Sequence, residues 1–334
     1  MTSQSATVLV TDYAWPSLTI EEEILGAVGA RVVAATTGAE DELIRLAPAA
    51  DIILTCWQRV TAAVLDAAPR CRAVGRYGIG LDNIAVDHAT ALGILVTNVP
   101  DFCLEEVSDH ALALLLACAR RIVFFARATQ SGVWNLAAGQ PIPRLRGQTL
   151  GLIGYGGIAR ALAPKAHALG LRVLAYTPRL TPGPLDATTT GTNNLDELLA
   201  ASDFVSIHVP LTGETRGMID ARALRQMKPT AFLINTSRGA VIDEAALAQA
   251  LADGQIAGAA LDVLAHEPPD PDHPLLRSPN AILTPHAAFY SEAAIADLQR
   301  QAAEQAAAVL RGELPPNIVN PAVLQQPNYR AGAR

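Results

Sequence analysis

Short apolar runs rich in β-branched residues recur along the chain, each followed by a longer stretch rich in alanine and leucine. The first series is 8–10, 31–33, 51–54, 73–75 and 94–96. Strand, helix and strand in repeated succession is the pattern of a parallel sheet. The succession restarts at Thr149-Leu150-Gly151-Leu152-Ile153 and continues through 172–176, 204–207, 231–234 and 256–258, with a last strand at 281–283. Two α/β units are predicted.

Between the two series, residues 104–128 read as one long helix, with Asp101 as its cap and Glu105-Glu106 placing negative charge in its first turn. Another helix is expected over 291–310, returning the chain to the first unit. One domain is then discontinuous, 1–100 plus 288–334, and 101–287 form the other. The fold class is α/β: two Rossmann-like or flavodoxin-like parallel-sheet domains with a cleft between them. The Thr/Gly/Pro-rich stretch 181–194 reads as a surface connection.

Composition narrows the function. A chain of 334 residues suits two domains of common size, and with 50% hydrophobic and 17% charged residues it can bury a sizeable core. The net charge of −7, with no Lys/Arg cluster, speaks against a nucleic-acid surface. Cys56, Cys71, Cys103 and Cys118 show no Cys-x-x-Cys spacing and sit in apolar runs, so buried thiols in a reducing, cytoplasmic compartment are expected rather than disulfides or zinc ligands. Residues 1–6 carry no positive segment and lead straight into the first strand, unlike a signal peptide. The longest apolar stretch, 111–119, is closed by Arg120-Arg121 and is too short to cross a bilayer, so no membrane role is expected.

Candidate chemistry starts at Gly154-Tyr155-Gly156-Gly157-Ile158-Ala159, which follows a strand and opens a helix ending near Leu169. Glycines at 154 and 156 allow a tight turn and let backbone amides approach a pyrophosphate at a helix N-terminus, with Ala159 an accepted small residue in the third position. The motif alone is weak, and its strand-turn-helix setting raises it above a packing turn. The next strand ends at Tyr176-Thr177-Pro178-Arg179, where an NAD site usually carries an acid for the ribose 2′-hydroxyl. Thr177 stands there instead, and Arg179 can pair with a 2′-phosphate, so NADP is favoured over NAD; NAD stays open if Arg179 is a solvated loop residue.

Three later segments each supply one polar residue of a different kind: Arg238 in Asn235-Thr236-Ser237-Arg238-Gly239, Glu267 in His266-Glu267-Pro268-Pro269, and His286 in Thr284-Pro285-His286-Ala287-Ala288. Reducing a keto carbon builds negative charge on its oxygen, which requires an acid and a nearby cation. His286 would give the proton, Glu267 beside the other ring nitrogen would fix the tautomer, and Arg238 would hold the carboxylate and keto oxygen with its planar fork. Singly, they could equally be a core histidine, a solvated acid and a strand-end arginine. His88, His110, His167, His208, His266 and His273 form no ligand cluster by spacing and are given no catalytic role. No metal site is expected.

Taken in order, several motifs resemble those of the D-isomer-specific 2-hydroxyacid dehydrogenase family over nearly the whole chain. They are Gly75-Arg76-Tyr77-Gly78-Ile79-Gly80-Leu81-Asp82-Asn83-Ile84, Leu150-Gly151-Leu152-Ile153-Gly154, His208-Val209-Pro210-Leu211-Thr212, Met227-Lys228-Pro229, Ala260-Leu261-Asp262-Val263 and Pro285-His286-Ala287-Ala288. Asn98-Val99-Pro100, Glu105-Glu106 and 286–292 are similar to the C-terminal-binding-protein-like branch, whereas Tyr176-Thr177-x-Arg179 looks like the NADPH-using glyoxylate/hydroxypyruvate reductases. The resemblance implies a reversible NAD(P)-dependent oxidoreductase that reduces a small 2-keto acid to the D-2-hydroxy acid. It implies that Tyr77, Gly78, Ile79 and Gly80 form a loop whose amides grip the substrate carboxylate, with Arg76 a lesser candidate for substrate contact. Val107, Ile158, Thr177, Val209, Thr236 and Asp262 would touch the cofactor, with Gly154, Gly156, Gly157, Arg179, Arg238 and His286. Asp262 would bond the nicotinamide carboxamide or else cap a turn. A homodimer through the cofactor domain, along the helix from Leu104 and the Trp134 segment, is also implied.

Two other functions fit the same residues. Phosphite or phosphonate oxidation needs a cation and a base around a tetrahedral anion, and a dinucleotide-sensing corepressor or scaffold can keep the catalytic residues. Tyr13, Trp15, Phe102 and Phe289 could wall a pocket for a keto acid larger than pyruvate, or pack in the core.

Overall fold

The computed structural model describes residues 5–179 and 181–332, so residues 1–4 of the expected N-terminal run lie outside the described residues. It divides into two compact units, Met1–Phe102 with Ser291–Arg334, and Cys103–Tyr290.

In the first unit, β1 (Ala6–Val10), β2 (Ala30–Ala34), β3 (Ile52–Thr55), β4 (Ala73–Arg76) and β5 (Leu95–Thr97) pair in parallel in the order β2-β1-β3-β4-β5. That is the flavodoxin-like order. β3 and β4 are buried along their whole length, which is why they read as continuous apolar runs. The helix Glu292–Arg311 completes the unit. Ser291 accepts from the Ala294 N–H at 3.0 Å to start it, and Gly312 at φ +80° ends it. Its buried stripe, Ile295, Leu298, Ala302, Ala306 and Val309, recurs at helical spacing, and the helix packs on Thr19–Gly26.

The second unit contains β6 (Thr149–Ile153), β7 (Arg172–Tyr176), β8 (Gly183–Pro184), β9 (Thr189–Thr192), β10 (Phe204–Ile207), β11 (Phe232–Asn235), β12 (Gly258–Leu261) and β13 (Ala281–Leu283). Their order is β13-β12-β11-β10-β6-β7-β9-β8, parallel except for β8 with β9. From β6 the chain runs outward to β7 and β9, then returns to β10 on the other side. The switch point therefore falls between β6 and β10, and in such sheets ligands bind beyond the strand ends at that point. Val205, Leu233 and Leu261 feed the core on one face, and Leu152, Phe204 and Ile234 feed the other.

The structure departs from the pattern reading in three places. The helix over 104–128 is two helices, Leu104–Ala119 and Ile122–Gln130, parted by Arg121 at φ +53°. This left-handed residue, disfavoured for L side chains, has its guanidinium 5.1 Å from the Phe232 ring centre. Cys103, not Asp101, precedes the first turn, and no side chain caps it. The stretch 181–194 holds β8 and β9; the β-branched threonines of β9 pair with β7 although glycines and prolines surround them, and β8 pairs with β9. Lastly, the strand placed at 256–258 is Gly258–Leu261, an alanine-rich strand with little β signal of its own.

The four cysteines are free and buried, and burial pushes their thiols up to about 12. Among the described residues, no group of three or more His, Cys, Asp or Glu side chains is placed to hold a metal. No helix among them is long and apolar enough to cross a membrane.

Candidate active site

Most of the residues singled out in the second unit follow the C-terminal ends of its parallel strands. Gly154, just past β6, takes φ +94°, and a Cβ there would lie 2.7 Å from the His208 carbonyl oxygen and 3.0 Å from Val209 Cγ1. Only glycine permits that approach of two strand ends. The Gly154 N–H donates to the Tyr176 carbonyl at 2.8 Å and the His208 N–H to that of Ile153 at 2.7 Å, tying the ends of β6, β7 and β10 together. The Tyr155 hydroxyl donates to Asp186, with Thr189 Oγ1 at 3.0 Å and the Arg160 guanidinium 4.8 Å from the ring centre.

Gly156 precedes the helix Gly157–Ala168, is exposed, and has open space where a Cβ would stand. A Cβ on Gly157 would meet Leu104 at 3.0 Å. Ile158 is half-buried in the first turn, Val107 is buried on the helix Leu104–Ala119, and Val209 lies beside Gly154. Thr177 follows β7 and donates its N–H to the Thr192 carbonyl at 3.3 Å, while Arg179 is exposed. Glycines leaving room at a helix N-terminus suit a pyrophosphate. Thr236 Oγ1 is buried and meets no hydrogen-bond partner among the described residues, as befits a hydroxyl that a ligand satisfies. The residues present fit a dinucleotide.

Beyond β11, Asn235 shapes the turn that carries Arg238. Its Oδ1 accepts from the Ser237 N–H at 2.9 Å and its Nδ2 donates to the Arg238 carbonyl at 2.9 Å. At Gly239 a Cβ would fall 1.9 Å from the Leu264 carbonyl carbon, so glycine lets the 264–267 loop cross there. In that loop Glu267 Oε1 accepts from the Leu264 N–H at 2.9 Å, and Oε2 lies 2.7 Å from His286 Nδ1. Burial works against ionising Glu267, but the hydrogen bond and charge of His286, the Leu264 N–H and the Arg238 charge outweigh it and hold the carboxyl below its ordinary value. Arg238, Glu267 and His286 are thus brought together, and the Phe289 ring centre lies 6.1 Å from that of His286.

His286 itself sits at φ +52°. Its turn is held by Asp262, which is 1% exposed: Oδ1 accepts from the Ala287 N–H at 2.9 Å and Oδ2 from the Ala288 N–H at 2.9 Å. The Asp262 carbonyl accepts from the His286 N–H at 2.8 Å. Both carboxylate oxygens serve the turn, so of the two roles expected for Asp262 the cap is the one displayed. Thr284 Oγ1 donates to Asp262 Oδ1 at 2.5 Å, and His110 Nε2 lies 3.0 Å from Thr284 Oγ1. Spacing gave His110 no place in the site, and the available signal was a histidine opening the apolar run 111–119.

In the first unit, Arg76, Tyr77, Gly78 and Ile79 lie at the end of β4. Arg76 is 6% exposed, and its guanidinium donates to the Gly80 carbonyl at 3.0 Å and to that of Tyr77. It clamps the loop. The Tyr77 side chain is buried, 4.9 Å from the Trp15 ring centre, so Trp15 packs in the core. The Tyr77 N–H is given to Thr55 at 2.8 Å and the Gly78 N–H to Arg76 at 3.0 Å, so neither amide is presented to a substrate.

Residues 112–288 match the family model described as D-isomer specific 2-hydroxyacid dehydrogenase, NAD binding domain. The glyoxylate reductase of Korarchaeum cryptofilum is 45% identical over 270 residues, 80% of this chain and 81% of that protein. Among solved structures, the NADPH-dependent glyoxylate/hydroxypyruvate reductase of Sinorhizobium meliloti, in complex with NADP and malonate, is similar at 29% identity and a TM-score of 0.81, covering 99% of each chain. The D-lactate dehydrogenase of Aquifex aeolicus, complexed with NAD and lactic acid, is similar at 28% identity and a TM-score of 0.83, covering 94% of this chain and 98% of that one. These matches do not specify the C-terminal-binding-protein-like branch.

Proposed function

The chain belongs to the D-isomer-specific 2-hydroxyacid dehydrogenase family, and from that premise we propose that it reduces a small 2-keto acid of the glyoxylate class to the hydroxy acid, reversibly, with a nicotinamide cofactor. The observation that carries this reading is the 2.7 Å contact between His286 and Glu267, with the Arg238 charge acting on the same carboxylate. Gly154, Gly156, Gly157 and Thr236 would hold the dinucleotide, which would supply the hydride when bound. Glu267 occupies Nδ1 of His286, so Nε2 delivers the proton to the forming alkoxide and retrieves it in the oxidative direction. Arg238 holds the substrate carboxylate and stabilises the charge growing on the keto oxygen. In the first unit, the amides of Ile79 and Gly80 are the part of the loop proposed to bind carboxylate.

For the cofactor we propose NADP. Thr177 stands where a carboxylate would repel the 2′-phosphate, and the exposed Arg179 can pair with it. We also propose a homodimer. The helix Ile122–Gln130 begins Ile-Val-Phe-Phe yet has no buried residue, and Trp134 beyond it is 90% exposed. Apolar surface of that kind is what a second copy covers. Trp134→Asp would then give monomers in light scattering; a wild-type protein that is already monomeric removes the proposal. Free, buried thiols accord with a cytoplasmic setting.

The test follows the loss of reduced-nicotinamide absorbance with glyoxylate, hydroxypyruvate and pyruvate, using NADH and NADPH, beside a His286→Ala control and a reverse assay with phosphite. Keto-acid turnover that vanishes in the control is expected. Turnover on phosphite alone, or tight dinucleotide binding with no turnover, overturns the reading.

A further inference from the structure

We propose that His110 is a positioning residue for His286, acting through Thr284 and Asp262 on the turn that carries the imidazole. This rests on the reading of His286 as the proton donor. His110 Nε2 lies 3.0 Å from Thr284 Oγ1 and 3.5 Å from Asp262 Oδ1. A hydroxyl carries one proton, and the 2.5 Å contact assigns that of Thr284 to the Asp262 carboxylate. The proton between His110 and Thr284 therefore sits on His110 Nε2. Beyond it, Asp262 takes the N–H groups of Ala287 and Ala288 with its carboxylate and that of His286 with its carbonyl.

The chain of bonds matters because His286 is at φ +52°, a conformation that an L side chain keeps only where its surroundings over-determine it. Asp262 supplies that determination, and the Thr284 hydroxyl stays aimed at Asp262 because His110 donates to its oxygen. Removing the donor frees the hydroxyl to rotate. The turn then relaxes, and the imidazole leaves its 2.7 Å contact with Glu267. His110 reaches this point from the helix Leu104–Ala119, an element apart from the turn it braces.

The experiment compares wild type, His110→Leu, His110→Gln, Thr284→Val and the double variant His110→Leu/Thr284→Val. In His110→Leu, kcat for the keto acid is expected to fall about tenfold while KM and dinucleotide affinity stay within about twofold. His110→Gln, whose amide can donate from near the position of Nε2, should recover most of the rate. Thr284→Val should match His110→Leu, and the double variant should be no worse than either, because the two act in one chain. Imidazole ¹⁵N shifts give a reading independent of turnover: a proton on Nε2 of His110 in wild type, and a His286 Nδ1 signal altered in His110→Leu. Unchanged kcat in a His110→Leu protein that melts like wild type, multiplying losses in the double variant, or a proton on Nδ1 of His110 overturns the proposal. If wild type reduces no keto acid, the functional reading fails, and a His286 signal indifferent to His110→Leu then overturns the positioning role on its own.

Discussion

Replacing Glu267 with glutamine keeps an acceptor opposite His286 Nδ1 and removes the charge. The two side chains meet at 2.7 Å while 34% and 21% exposed. A charge-assisted hydrogen bond contributes about 1.5–3 kcal/mol, and partial solvation places this pair at the lower end, roughly 1.5–2 kcal/mol. At about 1.4 kcal/mol per decade, kcat at neutral pH is expected to fall roughly 10- to 30-fold. KM should change little, because Arg238 is untouched. The Glu267 carboxyl is held below its ordinary value of 4.5, so the carboxylate opposite His286 is ionised above that pH and is lost as the pH falls through the lower, folded value. Wild-type kcat, measured as initial rates after pH jumps, should therefore carry an acid limb below pH 4.5 that Glu267→Gln lacks. A variant within about twofold of wild type, or one with the same acid limb, would refute the pairing. A raised KM at unchanged kcat would move Glu267 to substrate binding.

Thr177→Asp with Arg179→Ala should shift the ratio of kcat/KM for NADPH over NADH toward NADH by about 10- to 100-fold, and an unmoved ratio shows that these residues do not read the 2′-phosphate. Gly154→Ala forces a Cβ to 2.7 Å from the His208 carbonyl at φ +94°. Strain of about 1–3 kcal/mol is expected, read as a lower urea midpoint with weakened dinucleotide binding, and wild-type values for both count against the turn as described. Burial holds His208 neutral, with its folded value lowered to about 4 from 6.5. Because the folded value lies below the unfolded one, the stability is complete above pH 6.5 and is lost as the pH falls toward 4, by up to about 3 kcal/mol. His208→Gln should flatten the urea midpoint across that interval, and parallel curves for the two proteins would contradict it.

What the chain displays openly is whatever one segment decides by itself. β3 and β4 are buried throughout, so their burial is written as unbroken apolar runs, and both could be placed from the pattern. The glycine turn is equally local, because strand, turn and helix are contiguous. β9 and β12 were obscured because one is threonine among glycines and prolines and the other is largely alanine. Their strand state comes from neighbouring strands, an influence that no propensity carries. The break at Arg121 is hidden for a related reason: the apolar pattern runs across it, and the left-handed residue belongs to the tertiary setting.

The site follows the same division. Arg238, Glu267 and His286 could be named because each is chemically distinctive, whereas the residues that hold them in place could not, since they depend on register. Leu261 pairs with Leu283, so the next residue of each strand, Asp262 and Thr284, falls side by side. Ile153 pairs with Ile207, which sets Gly154 against His208 and makes glycine obligatory there. Asn235 pairs with Leu261, bringing Thr236 alongside Asp262. Register between parallel strands is set across crossover connections, and a single sequence does not record it. The support around His286 therefore becomes readable only in the folded sheet, and variants chosen at paired strand ends should expose it more sharply than variants chosen by residue type.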